Sequence, residues 1–252
     1  MAATSLPGVT VPAPFTELAG QFMIELPSAR AAFSTRRGGH SAGPYASLNV
    51  GFATDDDPAA MDRNRATLCA LVGAPAAAWM YQVHGTHVDL LSDADDAAQR
   101  PRVDGRATQR PGVALGALGA DCLPIAIAGG GAAAIVHAGW RGLAAGVIAR
   151  GVAALRELAG GEAMVAAAIG PGAGPCCYEV GAEVHAAFAD HPQARRGDNL
   201  DLKAIAAARL RAAGVQEVHD LGLCTICTPE LFFSHRRDRG VTGRQAGLVW
   251  LT

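Results

Sequence analysis

Three short segments concentrate reactive side chains between glycines: Gln82-Val83-His84-Gly85, Gly119-Ala120-Asp121-Cys122-Leu123-Pro124, and Val136-His137-Ala138-Gly139-Trp140-Arg141-Gly142. Two imidazoles and one thiolate form a chemically sensible zinc shell. Borderline-soft zinc accepts nitrogen and sulfur, and three protein ligands leave a fourth position for water or substrate. An open shell of that kind implies catalysis. Spacing alone does not single this reading out, because His84, Cys122 and His137 lie far apart compared with compact metal modules. The same residues also read as buried structural side chains, free cysteine being among the most buried types. A third reading makes Cys122 a thiol nucleophile with His137 as its base and no metal. Position 84 separates the two enzymatic readings, since a metal shell needs its imidazole directly and a Cys/His hydrolase needs it only indirectly.

Arg141 lies between Gly139 and Gly142 at the opening of a helix, where free backbone amides favour an anion such as phosphate. The plainer alternative is an exposed or acid-paired arginine. Cys224-x-x-Cys227 has no second such pair to complete a four-ligand site from local residues, so it reads as two thiols in a tight turn. Cys176 and Cys177 follow Gly170-Pro171-Gly172-Ala173-Gly174-Pro175, a run unsuited to regular structure. It reads as a sharp turn or as a loop that brings backbone amides near a ligand. His87, three residues after His84, would face the opposite side of a strand, so only one of the two could enter the site; His40, His185, His191, His219 and His235 show no ligand spacing.

The elements that must position these groups follow from the apolar pattern. Asp57-Pro58 is a helix start, a capping side chain before proline at the first helical position, and Met61, Leu68, Leu71 and Val72 share one face after it; a helix is predicted from Pro58 to about Val72. Strands are predicted at Trp79–Val83, His87–Leu91, Val113–Leu118, Leu123–Ala128 and Ala132–His137. A helical stripe through Leu143, Val147, Leu155 and Leu158 stops at Gly160-Gly161. Met164–Ile169 reads as a buried strand, Val180–Ala189 and Leu202–Ala213 as helices, and Val215–His219 and Leu248–Leu251 as strands. His84, Cys122 and His137 each fall at or beside the end of an apolar strand, where neighbouring strands can converge. The first 14 residues read as a loose N-terminal arm and 15–252 as one domain, without repeats or a linker.

Composition narrows the function classes. The 252 residues carry 21 basic and 23 acidic side chains, a formal net charge of -2, so no global positive field draws in nucleic acid or an anionic membrane. No apolar run is long enough to cross a bilayer, and six cysteines in a long chain that opens without a signal-like segment point to reduced thiols and a cytoplasmic protein.

Taken together, the motifs FSTRRGGHSAGPYASLNVG from Phe33, DDDPAAMDRNRATL, QVHGTHV, GADCLPI, HAGWRG, IGPGAGPCCYEV, LCTIC and FSHRRDRGVTGRQAGLVW resemble the YfiH family. This family is also called the laccase-domain or multicopper polyphenol oxidase family, and its members are regarded as purine nucleoside phosphorylases. The resemblance implies an α+β fold, a four-layer αββα sandwich of mixed sheets, with zinc held by His84, Cys122 and His137 and copper as an alternative ion. It implies phosphorolysis of adenosine, inosine, guanosine and methylthioadenosine to base and ribose 1-phosphate, and deamination of adenosine to inosine. Partners are then a purine nucleoside and phosphate, in a monomer or small homo-oligomer. Motif matching nominates Arg141 and Arg65 for phosphate or ribose, and Ser47 and Asn49 for the nucleoside; a capped turn is the alternative for the last two. The multicopper label fits the histidines poorly, since none of the eight forms the His-x-His pairs of a blue copper cluster. The His-x-Glu and Pro-Cys-x-x-Cys signature of zinc deaminases is absent as well. Position 40 departs from the family's small aliphatic residue; a histidine at the pocket mouth would alter substrate choice. A binding module that captures a nucleoside or metal without turnover remains the reading from another class.

Overall fold

The computed structural model describes residues 9–92, 97–160 and 163–252. In chain order, β1 (Thr16–Leu18), β2 (Gln21–Leu26) and β3 (Ala29–Phe33) form an antiparallel meander, followed by α1 (Pro58–Val72), β4 (Ala77–Ala78), β5 (Val88–Leu91), β6 (Gly105–Thr108), β7 (Ala114–Gly119), β8 (Leu123–Gly129) and β9 (Ala132–Ala138). Then come α2 (Trp140–Ala145), α3 (Val147–Ala159), β10 (Ala166–Ile169), α4 (Ala182–Ala187), β11 (Arg195–Arg196), β12 (Asn199–Leu200), α5 (Leu202–Ala212), β13 (Glu217–Asp220) and β14 (Gln245–Leu251).

Two six-stranded sheets result, one ordered β1-β2-β3-β14-β7-β4 and the other β13-β10-β8-β9-β6-β5. Both are mixed: β4 runs parallel to β7, β5 to β6 and β10 to β13, while the other pairings within them are antiparallel. Three apolar clusters fill the spaces between four layers. Leu68 and Val72 of α1 pack with Ala32, Leu248 and Trp250 on the outer face of the first sheet. Phe33, Leu115 and Val249 meet Ala126, Ala128 and Ile135 between the sheets. Ile125, Ile127 and Val136 on the outer face of the second sheet meet Val152 and Leu155 of α3 and Ile205 and Leu210 of α5. The period-2 alternation of a strand produces this division: along β8, Ile125 and Ile127 face the helices while Ala126 and Ala128 face the other sheet. The expected αββα sandwich is the fold.

Local chemistry explains where elements begin and break. Asp57 caps α1 by accepting the Ala59 N–H at 3.0 Å, and Pro58 occupies its first position. The single helical stripe predicted from Leu143 to Leu158 is two helices, because Gly146 between α2 and α3 takes φ 95°, a left-handed turn open to glycine.

The strand predicted at Trp79–Val83 does not form; regular pairing ends after Ala78. Gln82 takes over at that edge with its side chain, donating to the Leu118 carbonyl at 2.9 Å and accepting the Leu118 N–H at 2.8 Å. The backbone is thereby released to turn at His84. β6 escaped the apolar pattern because its second residue is Arg106, 2% exposed and paired with Asp89 at 2.8 Å. The meander β1–β3 also went unpredicted, its short strands carrying the polar residues Glu17, Gln21, Glu25 and Arg30. Residues 1–8 of the expected arm lie outside the described residues; Val9 and Val11 pack against the cluster between the sheets.

Candidate active site

The β8–β9 hairpin pairs Pro124 with His137 and Leu123 with Ala138, so Cys122, just before β8, and His137, near the end of β9, emerge at the same open end. β6 lies on the other side of β9, with Gly105 opposite Val136. That register sets Asp104 beside His137, whose N–H donates to the Asp104 carbonyl at 2.8 Å. His84 arrives from the loop before β5 with φ 61°. The ligand atoms of His84, Cys122 and His137 all lie within 4.8 Å of one another. The two imidazoles meet edge to face with centroids 4.9 Å apart, and the Cys122 Sγ is 4.0 Å from His84 Nε2.

One carboxylate organises the cluster. Asp104, fully buried, accepts the backbone N–H groups of Val83 (3.2 Å), His84 (2.9 Å) and Gly85 (2.6 Å) and pairs with His137 Nδ1 at 2.9 Å. It therefore holds the unusual backbone of the His84 loop and fixes the His137 ring, leaving His137 Nε2 as the nitrogen free to ligate. Space for an ion is preserved by Gly139, where a Cβ would stand 2.9 Å from Cys122 Sγ and 3.0 Å from His84 Cδ2. Two nitrogens, one sulfur and a carboxylate behind one imidazole fit a zinc-type ion well.

Electrostatics point the same way. Burial pushes the Cys122 thiol up, yet the charge of His137 and hydrogen bonds from His137 and His84 outweigh it and bring the thiol down to about 6. Burial likewise disfavours the His137 imidazolium, but Cys122 and Asp104 together raise it to about 9. The metal-free pair is thus a thiolate and an imidazolium, the charge state from which a cation displaces one proton. Burial also opposes ionisation of Asp104, and the bonds from His137, Gly85 and Val83 overcome it, holding the carboxyl below the usual range.

Beside the donors opens a cavity of about 540 Å³, within the range of small-ligand sites. Its wall includes Phe52, Tyr81, Gln82, Tyr178 and His235, and three arginines, Arg100, Arg236 and Arg244. None of the three arginines is in an ion pair among the described residues. Asp121, at φ 96°, accepts the Arg236 N–H at 2.7 Å and the Thr225 hydroxyl at 2.7 Å, so the residue before Cys122 anchors the opposite wall. Positive φ at His84 and Asp121 costs of order 1–3 kcal/mol each; Ala19, Ser28 and Arg239 share that sign of φ away from the cavity. Tyr178 is pushed up to about 12, by burial first and then by Cys122, and so keeps its O–H at neutral pH.

The other predicted residues fall elsewhere. Ser47 is taken up by the backbone, donating to the Arg36 carbonyl at 3.0 Å and accepting the Gly39 N–H at 3.1 Å. Buried Asn49 binds Thr54 and Asp56 and accepts the Gly51 and Arg244 N–H groups, the latter at 2.8 Å; it positions Arg244 without facing the cavity. Arg65 pairs with Asp62, donates to the Gly51 carbonyl, and lies 3.9 Å over the Phe52 ring, supporting that wall from behind. Arg141 is exposed and stacked 4.3 Å over Trp140, off the cavity wall. His40 is held by Asn64 and Thr67, also away from it. Asp104, Arg236 and Arg244 were missed. Asp104 left no signal beyond a polar residue at a strand edge, whereas the arginines stand in the FSHRRDRGVTGRQ motif, whose density of cations was a usable clue.

Comparison with known proteins identifies the family. The profile of a family described as "Multi-copper polyphenol oxidoreductase laccase" matches residues 30–252. A Xylella fastidiosa protein named purine nucleoside phosphorylase is 41% identical over 240 residues, covering 86% of this chain and 91% of that one. Purine nucleoside phosphorylase YfiH of Shigella flexneri is 39% identical over 232 residues, covering 88% and 92%. Among solved structures, the Bacillus licheniformis hypothetical protein YfiH superposes with a TM-score of 0.87 at 30% identity, covering 96% of this chain and all of that one (100%). YlmD of Geobacillus stearothermophilus gives a TM-score of 0.84 at 35% identity, covering 95% and 99%. Sequence, fold and coverage agree over nearly the full length, and the chain belongs to the laccase-domain, or YfiH, family.

Proposed function

We propose that the protein is a zinc-dependent purine nucleoside phosphorylase that also deaminates adenosine. The observation that carries the reading is one cavity holding both the His84, Cys122 and His137 donor set and Arg100, Arg236 and Arg244 without carboxylate partners among the described residues. Relatives named purine nucleoside phosphorylase support the nucleoside and phosphate as substrates.

Phosphorolysis joins an oxygen of hydrogen phosphate to the ribose C1′ and breaks the bond from C1′ to the base, which leaves with the proton that the phosphate gives up. The chain's share is positioning and charge stabilisation. Arg244 and Arg236 hold the phosphate dianion, since guanidinium forks match its oxygens. The aromatic wall of Phe52, Tyr81 and Tyr178 takes the purine, and the Tyr178 O–H donates to a polar atom of the nucleoside. His84, Cys122 and His137 would hold the zinc, which would supply the Lewis acidity on which adenosine deamination draws. Asp104 keeps His137 oriented throughout. Arg65 contributes through Phe52, and Arg141, exposed and off the cavity wall, acts only weakly through the field near Tyr178. Adenosine is the nucleoside to try first, then inosine, guanosine and methylthioadenosine.

The test combines metal analysis with an assay of base and ribose 1-phosphate released with and without phosphate. Stoichiometric zinc with no turnover of any purine nucleoside overturns the reading. A second reading rests on the line Cys122, His137, Asp104, a thiolate, a base and an orienting carboxylate, which suits a metal-free hydrolase. Chelator-resistant activity that survives His84→Ala and disappears with Cys122→Ala favours it.

A further inference from the structure

Cys176, Cys177, Cys224 and Cys227 come together although nothing in their separate spacings joins them. Their four sulfurs all lie within 4.8 Å of one another, with Cys176 and Cys227 at 3.5 Å. The loop after β10 pairs with the loop after β13 through a parallel bridge between Gly172 and Cys224. The Gly174 N–H points at the Cys224 sulfur at 3.2 Å. Gly174 has no Cβ where one would stand 3.1 Å from the Cys224 Cβ and 3.4 Å from the Cys176 Sγ. We propose that these four cysteines form a second metal centre, a structural zinc site closed by four thiolates.

Packing does not account for the cluster. Cysteine used as a small apolar filler is buried, yet Cys176 and Cys227 are exposed and only Cys224 is buried. None of the four is in a disulfide. A Zn–S distance of about 2.3 Å puts tetrahedral sulfurs about 3.8 Å apart, and the observed grouping needs only small adjustments to reach that. The span is that of one ion. Soft thiolates select zinc, copper(I) or iron, and four ligands with no open position are the structural zinc pattern.

Charge supplies an independent observation. Binding Zn²⁺ to four thiols releases four protons and leaves a centre of net charge 2−. The chain's only lysine, Lys203, is 4% exposed beside it, its ammonium bonded to the carbonyl of Leu223 at 2.5 Å, the residue before Cys224. Asp220 and Asp201 also act on this lysine, as do Cys224 and Cys176, but it is in no ion pair among the described residues. A buried cation with no carboxylate in direct contact is costly, and an anionic thiolate centre adds to Asp220 in offsetting that cost.

The centre bears on the cavity. Thr225, between the paired cysteines, donates to Asp121, and Arg237 donates to the Thr225 carbonyl at 2.8 Å; Tyr178 directly follows Cys177. Zinc there ties together the loops that carry the Tyr178 and Arg236 side of the wall.

The experiment measures zinc per chain in protein purified under reducing conditions, for the unmodified chain, His84→Ala and the double variant C176S/C227S. The expected values are two, one and one, with the double variant also melting at lower temperature. Should the open site hold no zinc, the unmodified chain carries one, kept in His84→Ala and lost in C176S/C227S, so failure of the functional reading is distinguishable. Unchanged zinc in a folded C176S/C227S overturns the proposal, as does iron or copper in place of zinc, or an intact mass lower by two hydrogens that marks a disulfide. If the double variant does not fold, cobalt-loaded His84→Ala decides. Intense visible absorption with thiolate charge-transfer bands is expected, and their absence overturns the assignment.

Discussion

His84, Cys122 and His137 offer two nitrogens and one sulfur at the wall of a cavity, backed by the buried carboxylate of Asp104. Cys176, Cys177, Cys224 and Cys227 offer four sulfurs on two surface loops, backed by the ammonium of Lys203. The partner behind each cluster has the sign its donors require. Neutral imidazoles gain basicity from a carboxylate, whereas four thiolates accumulate negative charge that a cation must balance. Three ligands leave room for substrate and four do not, so one fold separates a centre suited to chemistry from one suited to holding loops.

Single substitutions test that contrast. The largest effect is expected for His84→Ala, which removes a ligand from the open site alone. Adenosine deamination, the activity that draws on the ion's Lewis acidity, should fall by about 10³-fold or more, beyond the 10–100-fold usual for residues one step behind a metal, with the melting temperature close to that of the unmodified chain. Asp104→Asn belongs to that second class and should cost about 10–100-fold in activity or metal affinity, read from zinc titration and kcat/KM. Asp104→Ala strands three N–H groups and an imidazolium and should destabilise by about 3–5 kcal/mol, measured by urea unfolding.

Arg244→Ala should raise the KM for phosphate about 10–100-fold, the worth of a charged hydrogen bond of about 1.5–3 kcal/mol, with a smaller change for the nucleoside. Equal changes in both would place Arg244 on the sugar or base instead. Arg141→Ala, exposed and stacked on Trp140, should alter either KM by no more than about twofold, in line with a surface substitution.

The open site also responds to pH. Asp104 has a folded value below the usual carboxylate range. Its contribution is therefore present above the unfolded value, about 3.9, and is lost as pH falls through the lower folded one. The stability difference between the unmodified chain and Asp104→Asn should shrink across that acid window. In metal-stripped protein, alkylation of Cys122 should rise with a midpoint at about 6, and added zinc should suppress it.

Much of the second sheet was legible because its central strands are buried on both faces and read as continuous apolar runs, Leu123–Gly129 and Ala132–Ala138 among them. The edges were less so. Arg106 hid β6 by carrying charge into a buried strand, and Gln82 imitated a strand with its side chain. The three donors were legible as residue types at strand ends, but residues distant in sequence gave no measure of their mutual distance. Ser47 and Asn49 were picked from a motif, and in the fold Ser47 binds backbone groups while Asn49 binds Thr54, Asp56 and two backbone N–H groups.

From the sequence come the central strands and helices, whose period-2 and helical patterns encode buried faces, the reactive side chains available, and the family motifs, whose resemblance implied the four layers. Only the tertiary structure decided which of those chemistries share a site. Strand register set Asp104 against His137, Asn49 aimed the backbone of Arg244, and the bridge from Gly172 to Cys224 drew four cysteines into one group. Contacts of that kind depend on register and loop path, which no local pattern of residues contains.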